Sequence, residues 1–334
     1  METIILDAGK PENITLCAKT INEGGLVAIP TETVYGLAAN AMDEKTVANI
    51  FTTKGRQPDN PLIIHIATLG DIKSLVTFIP DIFEKLTAAF WPGPLTLVMK
   101  KNDSIPSNVT AGLDTVAIRM PNHPAALALI RESGCPIAAP SANLSGSPSP
   151  TKAIHVKNDI GGRIPYILDG GSCKVGLEST VLDITEPTAQ ILRPGGVTHG
   201  ELVALLGHVE INTGVSTDVP RSPGMKYRHY APKSPVIAIQ GPPCATAAYI
   251  KNKIGEKTAA LMFDDYAISH PNTVTFGPSE DYATQAAKLF DALRKLDSLN
   301  CAAIYAQIPS ENGLGLAVSN RIKKAAANNV IEVS

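Results

Sequence analysis

The chain is short of charge, short of cysteine and free of long apolar runs, and each shortage closes off a class of protein. No apolar stretch approaches the ~20 residues needed to span a bilayer. The first residues, METIILDAGKPEN, place acids and a proline where a secretory leader has a basic and then an apolar run. Lys and Arg number 29 against 31 Asp and Glu, a net charge of −2, so no global field draws the chain to nucleic acid or an anionic membrane; a local basic pocket is still open to it. The cysteines (Cys17, Cys135, Cys173, Cys244 and Cys301) are odd in number, scattered and without a C-x-x-C. They suit a reducing compartment and offer neither a zinc knuckle nor a disulfide framework. There is no G-x-x-x-x-G-K-[ST], no H-E-x-x-H and no G-x-S-x-G. The nearest approach to a dinucleotide fingerprint, Gly313-Leu-Gly-Leu-Ala-Val318, lacks the third glycine and reads as a helix N-terminus. A soluble cytoplasmic protein without membrane contacts is the expectation.

What is present is apolar content of 44% and 26 each of Gly and Pro in 334 residues, the mixture of a compact α/β protein with many tight turns, long enough for two domains. Strand-sized apolar runs recur at Leu26–Ile29, Leu62–Ile66, Leu95–Met99, Val116–Ile118, Pro136–Ala139, Tyr166–Leu168, Thr180–Ile184 and Gln190–Leu192. Helical patterns lie between some of them: Asp43–Thr53, Asp81–Phe90, His123–Ser133, Thr151–Asp159 and Thr198–Leu206. Mixing βα units with consecutive strands predicts a mixed, twisted sheet with helices over residues 1–206. Residues 207–235 lose periodicity and read as a linker. It holds Met225-Lys-Tyr-Arg-His-Tyr-Ala-Pro232, rich in aromatic and basic groups for a passive spacer. From 236 to 334 strands and helices alternate, predicting a smaller open parallel, Rossmann-like α/β domain.

Five parts of the chain carry candidate chemistry. Pro30-Thr-Glu-Thr-Val-Tyr-Gly-Leu37 leaves a strand and turns at once into hydroxyls and a carboxylate, where α/β proteins place ligands. In Lys54-Gly-Arg56 two cations flank a glycine at a helix end, able to converge on an anion or merely to satisfy last-turn carbonyls, with Asn60 and His65 following. In Thr115-Val-Ala-Ile-Arg-Met-Pro121 alternation puts Thr115, Ala117 and Arg119 on one strand face, with Arg119 at the end, where its planar fork can grip a carboxylate or a surface ion-pair partner. The Ser141, Asn143 and Ser149 loop offers hydroxyl and amide groups. Ser179 and Arg193 again stand where strand meets loop.

Taken together these stretches resemble the YrdC-like threonylcarbamoyl-AMP synthase family in its long two-domain form. The family's paired K-x-R and S-x-N signature stands as Lys54-Gly-Arg56 and Ser141-Ala-Asn143. PTETVYGL matches at 30–37, KGRQPDNPL at 54–62, FWPGPLTLV at 90–98, AIRMP at 117–121, APSAN at 139–143, GLESTV at 176–181 and ILRPGG at 191–196. SPGMKYRHYAP at 222–232 and ENGLGLAVSNRIKKAA at 311–326 mark the long form. Ala38 and Gln57 depart from the usual Gly and Pro, and neither change removes a functional side chain. The resemblance implies a nucleotidyltransferase that joins L-threonine, bicarbonate and ATP, with Mg²⁺ on the phosphates, into threonylcarbamoyl-AMP and pyrophosphate. A separate transferase complex then uses the product on tRNA. It implies Lys54, Arg56, Ser141 and Asn143 as the catalytic signature. It implies Thr33, His65, Arg119, the Ala139 backbone and Ser179 around threonine. Arg56, Asn60, Thr115, Ser141, Ser149 and Arg193 are implied around ATP, with Tyr230 closing over the nucleotide. Two other readings compete: an RNA-binding concavity, opposed by a pI near 6.4 and leaving a weak direct tRNA contact as a question, and a carbamoyltransferase-like relative with another acyl acceptor.

Overall fold

The computed structural model describes residues 1–212 and 229–334; most of the SPGMKYRHYAP motif therefore lies outside the described residues. The described chain divides into two units. The first takes 1–145, 150–174 and 178–212, the second 146–149, 175–177 and 229–334. Among the described residues no helix is long and apolar enough to cross a membrane.

The first unit is built on one eleven-stranded sheet. Its strands are β1 (Ile4–Asp7), β2 (Val27–Ile29), β3 (Gly36–Asn40), β4 (Ile63–His65), β5 (Leu95–Lys100), β6 (Thr115–Arg119), β7 (Ile137–Ala138), β8 (Tyr166–Asp169), β9 (Thr180–Asp183), β10 (Gln190–Arg193) and β11 (Glu210–Ile211). They lie in the order β1-β8-β2-β3-β7-β4-β6-β5-β9-β10-β11. Parallel pairs such as β4/β6 and β5/β9 alternate with antiparallel ones such as β5/β6 and β9/β10, the mixed sheet that the order of elements predicts. Helices fall within two residues of expectation at Glu44–Lys54, Ile82–Phe90, Pro124–Ser133, Ala153–Ile160 and His199–Leu206. The helix Pro11–Asn22 and strands β1 and β3 escape the sequence reading. β3, Gly36-Leu-Ala-Ala-Asn40, has no β-branched residue and little alternation, so nothing local marks it.

The two faces of this sheet do different work. Ile64, Leu97, Ile118, Leu182 and Ile191 go to the main core, each worth on the order of 1.5–3 kcal/mol when fully buried. The opposite face carries a separate small apolar cluster of Ile63, Val98, Ala117, Val181 and Leu192. Register makes this face continuous: Ile63 and Val98 both stand opposite Ala117, and Thr96 opposite Val181. With a side-chain period of two, His65, Thr96, Thr115 and Arg119 therefore share the face of that apolar floor.

The second unit holds an all-parallel sheet of β12 (Val236–Gln240), β13 (Thr258–Met262), β14 (Thr273–Thr275), β15 (Ala303–Gln307) and β16 (Val330–Glu332), ordered β14-β13-β15-β12-β16. The apolar runs Val236–Ile239, Ala259–Phe263, Val274–Phe276 and Ala302–Ala306 mark the first four of these strands in the sequence, and β16 is not so marked.

The helix Glu44–Lys54 sets the position of the K-x-R signature, and its two ends explain its length. At the start, the Asp43 carboxylate accepts from the Lys45 and Thr46 amides and from the Thr46 hydroxyl. At the finish, Gly55 takes φ 60°, the left-handed cap that a side chain would resist. The Thr46 donors hold the Asp43 carboxyl below its ordinary range. A depressed carboxyl pKa stabilises the fold above the unfolded value of about 3.9, and that contribution is lost as pH falls through the folded value. Asp43→Ala should thus cost roughly 1 kcal/mol at pH 7, read from urea unfolding by the fluorescence of Trp91, the single tryptophan of the chain. The gap from the parent protein should close in acid; a gap independent of pH would show that the charge of Asp43 is not what caps the helix.

Candidate active site

Arg119 ends β6 on the floor face and is almost wholly buried. Its Nε donates to the Gly93 carbonyl at 3.1 Å, Nη1 to Thr33 Oγ1 at 2.9 Å and Nη2 to Glu32 Oε1 at 2.6 Å. Three of five guanidinium N–H bonds are spent and two remain. The Thr33 contact has a fixed polarity. Thr31 Oγ1 donates to the Val34 carbonyl at 2.6 Å, so the Thr33 hydroxyl proton points to Thr31 at 2.8 Å, and Thr33 meets Arg119 as an acceptor.

His65 stands beside Arg119 in register. Burial, reinforced by the Arg119 charge, lowers its pKa to about 3, so it is a neutral imidazole at physiological pH. Its Nδ1 faces the Ile63 carbonyl at 3.3 Å. A carbonyl only accepts, so the proton belongs on Nδ1 and Nε2 offers a lone pair.

Arg193 places Ser179. Its Nε and Nη2 fork onto the Ser179 carbonyl at 3.1 and 2.8 Å, and Nη2 also reaches Ser179 Oγ at 3.1 Å. Thr96 Oγ1 lies 2.7 Å from the same hydroxyl. A Cβ on Gly195 would fall 2.4 Å from Glu178 O and from Ser179 and Thr180 backbone atoms, so the Pro194-Gly-Gly196 turn can lie against the Ser179 backbone only as glycine.

Lys54 is buried, and its Nζ donates to the carbonyls of Ser141 and, at 2.7 Å, of Asn143. Burial, then the Arg56 charge, depresses its pKa well below the lysine range. Two of its three N–H bonds therefore hold the S-x-N loop. The Arg56 Nη2 donates to Asn60 O at 2.9 Å and Pro61 O at 3.2 Å, closing the turn that carries Asn60. Asn60 is buried with neither end of its side-chain amide hydrogen-bonded, a cost of about 1–3 kcal/mol for each unsatisfied group that a polar ligand would remove. Ala139 commits its N–H to Ile63 O at 3.1 Å and keeps its carbonyl. Thr115 opens β6 on the same face as Arg119, about 13 Å along the strand.

The first unit thus brings together Thr33, His65 and Arg119, then Ser179 with Arg193, then Lys54 with Ser141 and Asn143, and Arg56 with Asn60. Ser149 and Tyr230 belong to the second unit. There Tyr230 is buried, its ring 5.4 Å from that of Phe290 and under the Arg321 guanidinium at 5.2 Å. Ser149 is buried next to Pro148, whose carbonyl accepts from Arg294 Nη2. Sequence reasoning assigned no role to Glu32, Thr31 or Thr96. Glu32 lies inside a matched motif, and a carboxylate two residues past a strand end was its visible signal. Nothing local distinguished Thr96. Among the described residues no group of three or more His, Cys, Asp or Glu could hold a metal ion.

Comparison with known proteins shows the family of the chain. A family profile described as "Telomere recombination" matches residues 19–195, and one described as "Threonylcarbamoyl-AMP synthase, C-terminal domain" matches residues 197–327. The threonylcarbamoyl-AMP synthase of Pyrococcus abyssi is 46% identical over 329 residues, 96% of each chain. That of Bacillus subtilis is 46% identical over 325 residues, 95% of this chain and 94% of its own. The crystal structure of P. abyssi Sua5 complexed with L-threonine matches at a TM-score of 0.92 and 44% identity, covering 100% of this chain and 99% of that one.

If Lys54 is the staple of the S-x-N loop, Lys54→Met should free it. Amide exchange at Ala142 and Ser145, whose N–H groups bond Tyr35 O and Lys54 O, should accelerate by about tenfold or more, while β6 keeps its protection. Unchanged exchange at both amides would remove the staple.

Proposed function

The chain belongs to the threonylcarbamoyl-AMP synthase family in its two-domain form, and on that footing we propose that it converts L-threonine, bicarbonate and ATP into threonylcarbamoyl-AMP, pyrophosphate and water. One observation carries the reading: a buried guanidinium, Arg119, is locked by three hydrogen bonds, keeps two donors, and stands beside a neutral histidine at a strand end.

Those two donors take the threonine carboxylate as a planar fork. Thr33, the lone pair of His65 Nε2, the Ala139 carbonyl and Ser179 fix the rest of the amino acid. The threonine amine captures carbon dioxide as a carbamate. A carbamate oxygen then attacks the α-phosphorus of ATP, and the bond to pyrophosphate breaks. Such a transfer depends on positioning and charge neutralisation more than on a strong base. A neutral His65 and a set of Lys, Arg and hydroxyl groups suit that demand. Lys54, Arg56, Asn60, Ser141, Asn143 and Arg193 handle the phosphates, with Thr115 toward the nucleoside. Thr115 and Arg119, about 13 Å apart along β6, would separate the nucleoside end from the amino-acid end.

Mg²⁺ binds through substrate phosphates and water when a protein supplies few oxygen ligands. The hydroxyl of Ser141 and the amide oxygen of Asn143 fit that mode. When bound, the ion would offset charge on the phosphates. The product is a labile mixed anhydride, which a transferase acting on tRNA in the cytoplasm would consume.

The decisive assay supplies ATP and bicarbonate with threonine, with serine or with no amino acid, and follows pyrophosphate and the AMP adduct. Threonine-dependent release of both is expected; release indifferent to the amino acid would overturn the proposal. Arg119→Ala should raise the threonine KM by about 100-fold, the scale of a lost charged fork, and leave the ATP KM within a few fold. Equal losses for both substrates would contradict the role given to Arg119.

A further inference from the structure

Glu32 is 7% exposed. One carboxylate oxygen pairs with Arg119 at 2.6 Å, and the other, also buried, has no hydrogen-bond partner. An unsatisfied oxygen of a buried carboxylate is costly, more so than a neutral group. Its titratable neighbours do not relieve it. Burial keeps the His123 imidazole below its ordinary pKa although Glu32 pulls the other way. Burial and the charge of Glu32 push the Cys173 thiol up to about 12. Both groups are therefore uncharged near neutrality, and Arg119 is the cation paired with Glu32.

The charges of this pair sum to zero. A ligand bearing only a carboxylate would leave the enclosed space with a net negative charge, whereas a zwitterion adds none. Arg119 has two unspent N–H bonds and Glu32 one unspent oxygen, and the two groups meet at 2.6 Å. Adjacent free donors and a free acceptor match the carboxylate and ammonium of one α-amino acid. We propose that Glu32 contacts the substrate: its second oxygen receives the ammonium group, so that Glu32 and Arg119 together select a zwitterion over a plain carboxylic acid. This deepens the reading of the site as an amino-acid pocket and rests on it.

The test is calorimetric binding of L-threonine and of 3-hydroxybutanoate, which is threonine without its amine, to the full chain and to Glu32→Gln. The parent protein should prefer threonine by about tenfold or more. In Glu32→Gln that preference should fall to within about threefold, through loss of threonine affinity and not through gain for the analogue. If Glu32 only orients Arg119, both ligands weaken by the same factor and the proposal fails. If the variant does not fold, the parent protein still decides: equal affinity for the two ligands overturns the role of Glu32. Failure to bind threonine at all would instead sink the synthase reading itself.

Discussion

Buried positive charge that cannot be left bare is the constraint on which this site depends. Lys54, Arg119 and Arg193 are each at least 96% buried, and moving a cation out of water costs several kcal/mol unless hydrogen bonds replace the lost hydration. Backbone carbonyls do much of the replacing: Ser141 and Asn143 for Lys54, Gly93 for Arg119, Ser179 for Arg193. A carbonyl solvates a cation without cancelling its charge. The loops that lend the carbonyls are fixed by the same bonds. Arg119 carries a formal counter-ion in Glu32, so the charges of that pair balance.

The sheet makes this arrangement possible because its two faces are specialised. Alternation sends Val116 and Ile118 to the main core and leaves Thr115, Ala117 and Arg119 on the other side. Ala117 and the neighbouring valines are small enough to form a floor and leave the polar residues standing around it. β-Branched residues on that floor are stiff, so the strand ends that bear His65 and Arg119 start from a rigid base.

Much of this was legible in the chain. The two-residue period of Thr115–Arg119 displayed its site face outright, and strand-end placement picked out Arg119, Ser179 and Arg193. Contacts across long sequence separations were not legible. Lys54 and Arg56 read as cations able to converge on an anion or to satisfy last-turn carbonyls; Lys54 meets carbonyls 87 and 89 residues away, and no local pattern encodes that pairing. Thr96 looked like one more strand residue until the β5/β9 register brought it against Ser179. The helix Pro11–Asn22 went unread although its face Ile14, Cys17, Ala18 and Ile21 is buried, because threonines, lysine and asparagine dilute the apolar stripe. Fold class depends on the order and period of elements, which are local properties; a site depends on which loops meet, which is not.

The two signature motifs now have a physical reason to occur together. K-x-R and S-x-N lie far apart in the sequence, yet the lysine of one is solvated by the backbone of the other. Without Lys54 the carbonyls of Ser141 and Asn143 lose their buried donor; without the loop's carbonyls an ammonium is stranded in a low-dielectric interior. Each state costs more than the intact pair. A chain could therefore change either motif's side chains toward a ligand more easily than it could dispense with one motif, because the bond that unites them is made by backbone and must be satisfied before any substrate arrives. The same logic applies to Arg56, whose bonds to the carbonyls of Asn60 and Pro61 shape the turn that follows the helix.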